Sequence, residues 1–295
     1  MRIAAVAAGK SNLGVKEMST GDYSAHTQDV IEHYRRRHTV RGDLFGEQPF
    51  ANYGYWTRDG MTIEQAAEAL TQLVASSAGL GPGDRVLDVG CGYGAGAVSY
   101  MRRCQPDAIV GIDVTDIRID EGQRYVARHG FAERIELQLG DATKMAFADA
   151  SFDKVVSVEC AFHFDTRRDF LREAARVLVP GGTLTLTDMI PRRGVDPRAY
   201  LRGRPIPNGG ICLDNLANAY DADVYAGHLR EAGFTHIRIE SIIDWTRMRF
   251  VDALQALASA VVGERQEQLR RAVANLRHHI DCGEDYVLVV ARRGR

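Results

Sequence analysis

The stretch Arg85-Val-Leu-Asp-Val-Gly-Cys-Gly-Tyr-Gly-Ala-Gly96, followed by Ile109-Val-Gly-Ile-Asp113, constrains the fold of this chain more than any other segment. An apolar strand runs into a glycine-rich turn, and a second apolar strand ends in a carboxylate. Gly90, Gly92 and Gly94 let the backbone turn tightly and approach a ligand with no Cβ in the way, while a helix starting near Ala95 presents its free N–H groups to the same place. Asp113, nineteen residues beyond Gly94, stands where a second parallel strand delivers a carboxylate to a ribose diol. The turn also satisfies the loose dinucleotide pattern G-x-G-x-x-G/A, so by itself it does not separate NAD from other nucleosides.

From Arg85 onward strands at 85–89, 108–112, 135–139, 152–158 and 182–188 are interleaved with helices at 95–103, 117–129 and 167–178. This alternation predicts an α/β, doubly wound and mostly parallel sheet with ligands at the carboxyl ends of the strands. Upstream, a helical rhythm begins at Asp29 and ends near Gly42, and a second helix starts after Thr62 and is stopped by Gly79-Leu-Gly-Pro-Gly83. After Asp188 the prolines at 191, 197, 205 and 207 and several glycines break the pattern, which marks residues of about 191–215 as an insertion of the kind that serves as a lid. A helix at 221–232, a strand at 236–243, one long helix from about 249 to 278 and an antiparallel strand at 286–291 are expected to complete the sheet. The division is therefore an N-terminal helical arm and cap, 1–60, and a core, 61–295, that contains the lid.

Composition narrows the function. Lys+Arg at 37 against Asp+Glu at 39 gives a net charge of −2, which provides no basic field and excludes a nucleic-acid partner. The run Arg35-Arg36-Arg37-His38 reads as the solvated face of a helix rather than a phosphate clamp. Cys91, Cys104, Cys160, Cys212 and Cys282 form no C-x-x-C pair and no zinc-like spacing, so no disulfide framework or metal is expected and a reducing cytoplasm fits. The apolar start at Met1 is too short for a signal-peptide core, and no apolar run is long enough for a membrane span, so no membrane role is expected.

Four motifs in order resemble those of the class I S-adenosylmethionine (SAM) methyltransferases. Val86-Leu-Asp88-Val-Gly90-Cys-Gly92-Tyr-Gly94 is similar to their first motif, Asp113 to their ribose-binding acid, Gly140-Asp141-Ala142 to their adenine-side motif, and Val177-Leu-Val-Pro180-Gly181-Gly182 to the turn before their fifth strand. The likeness spans roughly residues 45–292 and implies a seven-stranded Rossmann-like methyltransferase sheet with SAM as cofactor. It also implies that Asp88, Gly90, Gly92 and Gly94 surround the methionine end, Asp113 the ribose, and Asp141 with Ala142 the adenine. Phe50-Ala-Asn-Tyr-Gly54-Tyr55-Trp56, Ser157-Val-Glu159-Cys-Ala-Phe-His163-Phe and Gly209-Gly-Ile resemble segments of macrolide-sugar O-methyltransferases. Bacterial prenyl C-methyltransferases share much of the layout.

A sulfonium methyl is already a strong electrophile, so the protein's main tasks are to align an acceptor and exclude water. A hydroxyl acceptor must also lose a proton, for which His163, a few residues past the fourth strand, is the first candidate. The competing reading is a histidine that packs the strand-to-helix loop. Glu159, four residues earlier, is placed to orient His163, to accept the proton itself or to hold the methionine end. Tyr53, Tyr55, Trp56, Phe162, Tyr200 and Trp245 are the candidate walls of the acceptor pocket, with ordinary core packing as the alternative.

The leading expectation is thus methylation of a small natural product of secondary or antibiotic metabolism at a hydroxyl oxygen. Methylation of a prenyl or terpenoid alkene carbon through a carbocation is the alternative. An NAD-dependent oxidoreductase and a non-catalytic SAM-binding partner are readings from other classes. The arm is also a candidate contact between copies in a homo-oligomer.

Overall fold

The computed structural model describes residues 23–39, 49–202 and 215–295. Helix α1 covers Ala25–Thr39, α2 Ile63–Ala78, β1 Arg85–Val89, α3 Ala95–Cys104, β2 Ala108–Asp113, α4 Asp116–Arg128, β3 Ile135–Leu139 and β4 Phe152–Val158. Then follow α5 at Arg167–Val177, β5 at Leu178–Pro191, α6 at Pro197–Arg202, α7 at Ala222–Glu231, β6 at Phe234–Ser241, α8 at Arg247–Ala260, α9 at Glu264–Asp281 and β7 at Glu284–Arg293.

The strands form one seven-stranded sheet in the order β3-β2-β1-β4-β5-β7-β6. The run from β3 to β5 is parallel, and β7 lies antiparallel to both β5 and β6. Every residue of β2, Ala-Ile-Val-Gly-Ile-Asp, is buried, as expected of a parallel strand covered on both faces. One apolar layer joins α2, α3, α4, α8 and α9 to the sheet, and a second joins α5 and α7 to the opposite face. The chain reverses its direction of strand addition beside β1, which opens a crevice at the carboxyl ends of β1 and β4.

Local chemistry explains the ends of α2 and α3. Thr62 accepts from the Gln65 amide while the Gln65 side chain binds the Thr62 backbone, and Gly79 closes α2 in the left-handed region. Gly94 caps α3 without a side-chain bond, leaving that helix's first N–H groups toward the glycine turn.

Several boundaries differ from the sequence reading. The expected helix over 249–278 is two helices: the first ends at Ala260 with Val261 extended at φ −121 and ψ 164, and Gly263 at φ +71 stands before the second. The 236–243 strand begins at Phe234 and carries a register shift between Thr235 and Arg238. Of the proposed insertion, Pro191 still belongs to β5 and Pro197–Arg202 is helical. Residues 203–214, with Gly209-Gly-Ile and Cys212, lie outside the described residues, as do 1–22 and 40–48 of the proposed arm and cap. Among the described residues no helix is long and apolar enough to cross a membrane.

Candidate cofactor and active site

The glycine turn follows β1 with Gly90, Gly92 and Gly94 all at positive φ, +74, +54 and +74. At Gly90 the requirement is also steric, since a Cβ would sit 2.3 Å from the Cys160 sulfur. That contact brings the turn against the segment after β4, and the Cys160 thiol reaches the Gly90 carbonyl at 3.3 Å. Burial pushes the Cys160 thiol well up, so it stays neutral and serves as packing.

Asp113 ends β2 and ties the turn down: Oδ2 accepts from the Gly92 amide at 3.0 Å and Oδ1 from the Thr115 amide at 2.9 Å. Arg118 stands 3.9 Å from the same carboxylate. Asp141, after β3, accepts through Oδ1 from the Thr143 amide and hydroxyl, both at 2.7 Å. These single-oxygen bonds leave Oδ2 of Asp141 for a ligand.

Two adjoining clefts meet across Tyr34, Gly90, Arg118 and Cys160. The first, about 540 Å³, is bordered by Ile112, Asp113, Asp141, Ala142, Phe164 and His163. The second, about 610 Å³, is bordered by Asn52, Asp88, Gly92, Gly96, Tyr100 and Glu159. Each predicted cofactor residue except Gly94 therefore borders the cleft, and Gly94 packs behind it, where a Cβ would lie 2.8 Å from Leu137.

The floor of the second cleft holds polar groups with unused capacity. The Tyr100 hydroxyl is buried without a partner. Asp88 is 4% exposed, and a Cβ on Gly96 would meet its Oδ2 at 3.5 Å. Burial, with the charge of Asp113 adding, pushes the Asp88 carboxyl up to about 7. A carboxyl whose folded pKa is raised binds more protons in the native state, so its contribution to stability is lost as pH rises from the unfolded carboxylate range through about 7. Asp88→Asn is accordingly expected to raise the melting temperature of the ligand-free protein above neutral pH and to flatten its decline between acid and neutral pH. Identical melting curves across that range would show that Asp88 carries no such burden.

His163 lies in a short 3-10 turn, Ala161–His163. Its Nε2 is 2.8 Å from the Tyr34 hydroxyl, and its carbonyl is 3.1 Å from His26 Nε2. Tyr34 is stacked under the Arg118 guanidinium at 3.8 Å. Beside it Arg35 makes a two-bond pair with Asp116, at 3.1 and 2.7 Å. That pair is half-exposed and adds at most about 1 kcal/mol, so the hold of α1 rests more on burial of Val30 and Ile31, each on the order of 2 kcal/mol. Helix α1 thus forms a wall of the cleft and supplies the partner of His163. Of the basic run, Arg36 is exposed and paired to Glu32 on its own helix, whereas Arg35 is engaged by Asp116.

Glu159 follows β4 with φ +54, its amide bonded to the Thr187 carbonyl and hydroxyl. Its Oε1 accepts from the Tyr53 amide at 2.8 Å and the Tyr286 hydroxyl at 2.7 Å. Glu159 and His163 border different clefts, and no hydrogen bond joins their side chains.

The six aromatic candidates for the acceptor pocket border neither cleft. The Tyr53 ring lies between Phe250 and Arg247, at 5.1 and 4.4 Å. Trp56 is in the core, with its indole N–H on the Tyr53 carbonyl. Tyr55 packs beside half-exposed Trp245, Phe162 stacks on the ring of His163, and Tyr200 is buried on α6. Tyr34, Arg118, Tyr100 and Tyr286 are the cleft residues and supports that sequence reading missed. The Asp113-to-Arg118 spacing is the one local signal that could have flagged any of them.

Comparison with known proteins agrees with this geometry. A family model described as a methyltransferase domain matches residues 87–186. The chain is 34% identical over 204 residues to erythromycin 3''-O-methyltransferase of Saccharopolyspora erythraea, covering 67% of this chain and 66% of that one. It is 32% identical over 234 residues to 27-O-demethylrifamycin SV methyltransferase of Amycolatopsis mediterranei, covering 78% and 81%. Among solved structures, the cyclase SpnF superposes with a TM-score of 0.72 at 25% identity over 91% of this chain and 96% of that one. These matches set aside the dinucleotide reading of the glycine turn. A strand-turn-helix bearing Gly90, Gly92 and Gly94, a carboxylate at the end of β2, and relatives that align over most of their length place the chain in the family of SAM-dependent class I methyltransferases.

Proposed function

We propose that the protein moves the SAM methyl group to a hydroxyl oxygen of a small secondary metabolite. The observation that carries this reading is the His163 imidazole in the cleft wall, held by the Tyr34 hydroxyl near the junction of the two clefts. A hydroxyl acceptor needs a proton acceptor at that stage, whereas an alkene carbon does not. The names of the two relatives, both acting on antibiotics, support the same substrate class.

The residues present fit the cofactor. Asp113 and Asp141 offer acceptor capacity to the ribose and the adenine amine, and the orphaned Tyr100 hydroxyl and buried Asp88 offer a donor and an acceptor to the methionine end. When bound, SAM supplies an electrophilic methyl on a sulfonium. The chain supplies alignment, exclusion of water and a base at His163, with α1 as the cap over the adenosine half.

Intact-mass screening of hydroxylated polyketide and macrolide intermediates with SAM tests this directly. The expected product carries one added methyl, located on oxygen by NMR. A methyl on carbon would support the alkene reading, and no transfer to any such acceptor would count against both. Turnover is also expected to persist in EDTA, because transfer from a sulfonium needs no Lewis acid and no cluster of three metal-binding side chains occurs among the described residues. Complete loss that added metal restores would defeat that expectation.

A further inference from the structure

Glu159 sits in a closed circuit of buried contacts. Its Oε1 takes the Tyr53 amide and the Tyr286 hydroxyl. The Tyr53 ring lies 4.4 Å from the Arg247 guanidinium, and Arg247 pairs with Glu284 at 2.5 Å. Glu284 and Tyr286 alternate along β7 and so share one face of the strand, which returns the circuit to Glu159. Arg247, Glu284 and Tyr286 are all essentially inaccessible.

Ion pairs this deep seldom repay their own desolvation in stability. The left-handed backbone at Glu159 is a second cost, of the sort that persists where the surroundings over-determine a functional group. What the circuit produces is one carboxylate with Oε1 fully engaged and Oε2 left to the cleft floored by Asp88 and Tyr100.

We propose that Tyr286 is a positioning residue: with the Tyr53 amide it fixes Glu159 as the negative charge of the methionine half, so that the site favours the cationic sulfonium cofactor over its neutral thioether product, S-adenosylhomocysteine (SAH). The inference rests on the cofactor in the reading above and is independent of the acceptor. Methyl transfer removes the sulfonium charge and leaves the α-ammonium, so a fixed carboxylate near the sulfur stabilises the reactant form more than the product. Release of the spent cofactor is thereby eased by the same charge that captured the fresh one.

Burial pushes the Glu159 carboxyl up to about 7, opposed by the Tyr286 and Tyr53 hydrogen bonds and by Arg247, and reinforced by Glu284. Cys160 adjoins it, and Asp113, Arg118 and Asp88 act on that thiol from β2, α4 and β1. Asp88 titrates in the same range, so two carboxylates compete for the role. Only Glu159 is oriented by a tyrosine hydroxyl.

Calorimetric titration with SAM and with SAH separates these possibilities. In the wild-type protein the ratio of SAM to SAH affinity is expected to rise about tenfold between about pH 6 and about pH 8, as a carboxyl titrating midway ionises. Glu159→Gln should abolish the rise while SAH still binds. Tyr286→Phe removes a donor to the ionised form and should move the midpoint of the rise upward. 3-Fluorotyrosine at position 286, a stronger donor of nearly the same shape, should move it downward and serves equally if the phenylalanine variant does not fold. An unmoved midpoint in the Tyr286 variants, or an undiminished rise in Glu159→Gln, overturns the proposal. A wild-type protein that binds neither ligand overturns the cofactor assignment as well, whereas SAM binding without a pH-dependent preference overturns this inference alone.

Discussion

Replacing His163 by alanine is expected to slow methyl transfer about a hundredfold to ten-thousandfold, the usual contribution of a positioned general base. SAM affinity should stay nearly intact, so the loss appears in kcat at saturating cofactor. The dependence of kcat on pH should change too: the limb on which the rate rises as the base loses its proton should disappear. Because Nε2 is 2.8 Å from the Tyr34 hydroxyl, the substitution also removes an anchor of α1, and the two effects need separating. Tyr34→Phe keeps the imidazole and loses only the anchor. If His163 acts as a base, Tyr34→Phe should be much milder than His163→Ala. Equal losses in both, accompanied by weaker SAM binding, would make the pair a clasp for the arm. Single-turnover transfer at the wild-type rate in His163→Ala would remove His163 from the chemistry and shift the assignment to Glu159 or to positioning alone.

Asp113→Ala is expected to weaken SAM binding by about 1.5–3 kcal/mol, the range for hydrogen bonds to a charged group, or roughly ten- to 150-fold in affinity. The geometry adds a second reason. Asp113 holds the Gly92 and Thr115 amides and faces Arg118, so its removal frees the turn as well as the ribose contact. Calorimetry should therefore show a loss for SAH as well as for SAM, since both carry the ribose. Unchanged affinity for both would take Asp113 out of the cofactor site. A loss confined to SAM would instead make it a charge partner of the sulfonium.

The cofactor half of the site was legible in the sequence because its parts are local. Arg85 to Asp113 is one strand-turn-helix-strand run, and the glycine positions follow from steric limits on the turn. Strand type was legible for the same reason: uniform apolar runs mark strands covered on both faces, as in β2. The break between α8 and α9 was not, because Val261 and Val262 continue the apolar character of the helix although Val261 is already extended.

The acceptor side could not be read at all from local pattern. Tyr53, Tyr55 and Trp56 have the composition of a pocket wall, yet tertiary packing turns Tyr53 toward Arg247 and buries Trp56. The partners of Glu159 are separated from it by 106 and 127 residues. They meet because the last strand in sequence inserts antiparallel between β5 and β6, carrying Tyr286 to a sheet position two strands from β4. The sequence by itself determined the parallel-type strands, the glycine turn and the acid at the end of β2, since each depends on interactions between near neighbours in the chain. Tertiary structure alone decided which side chains support Glu159 and His163, because strand order and helix docking set those distances and neither leaves a periodic trace in the residues concerned.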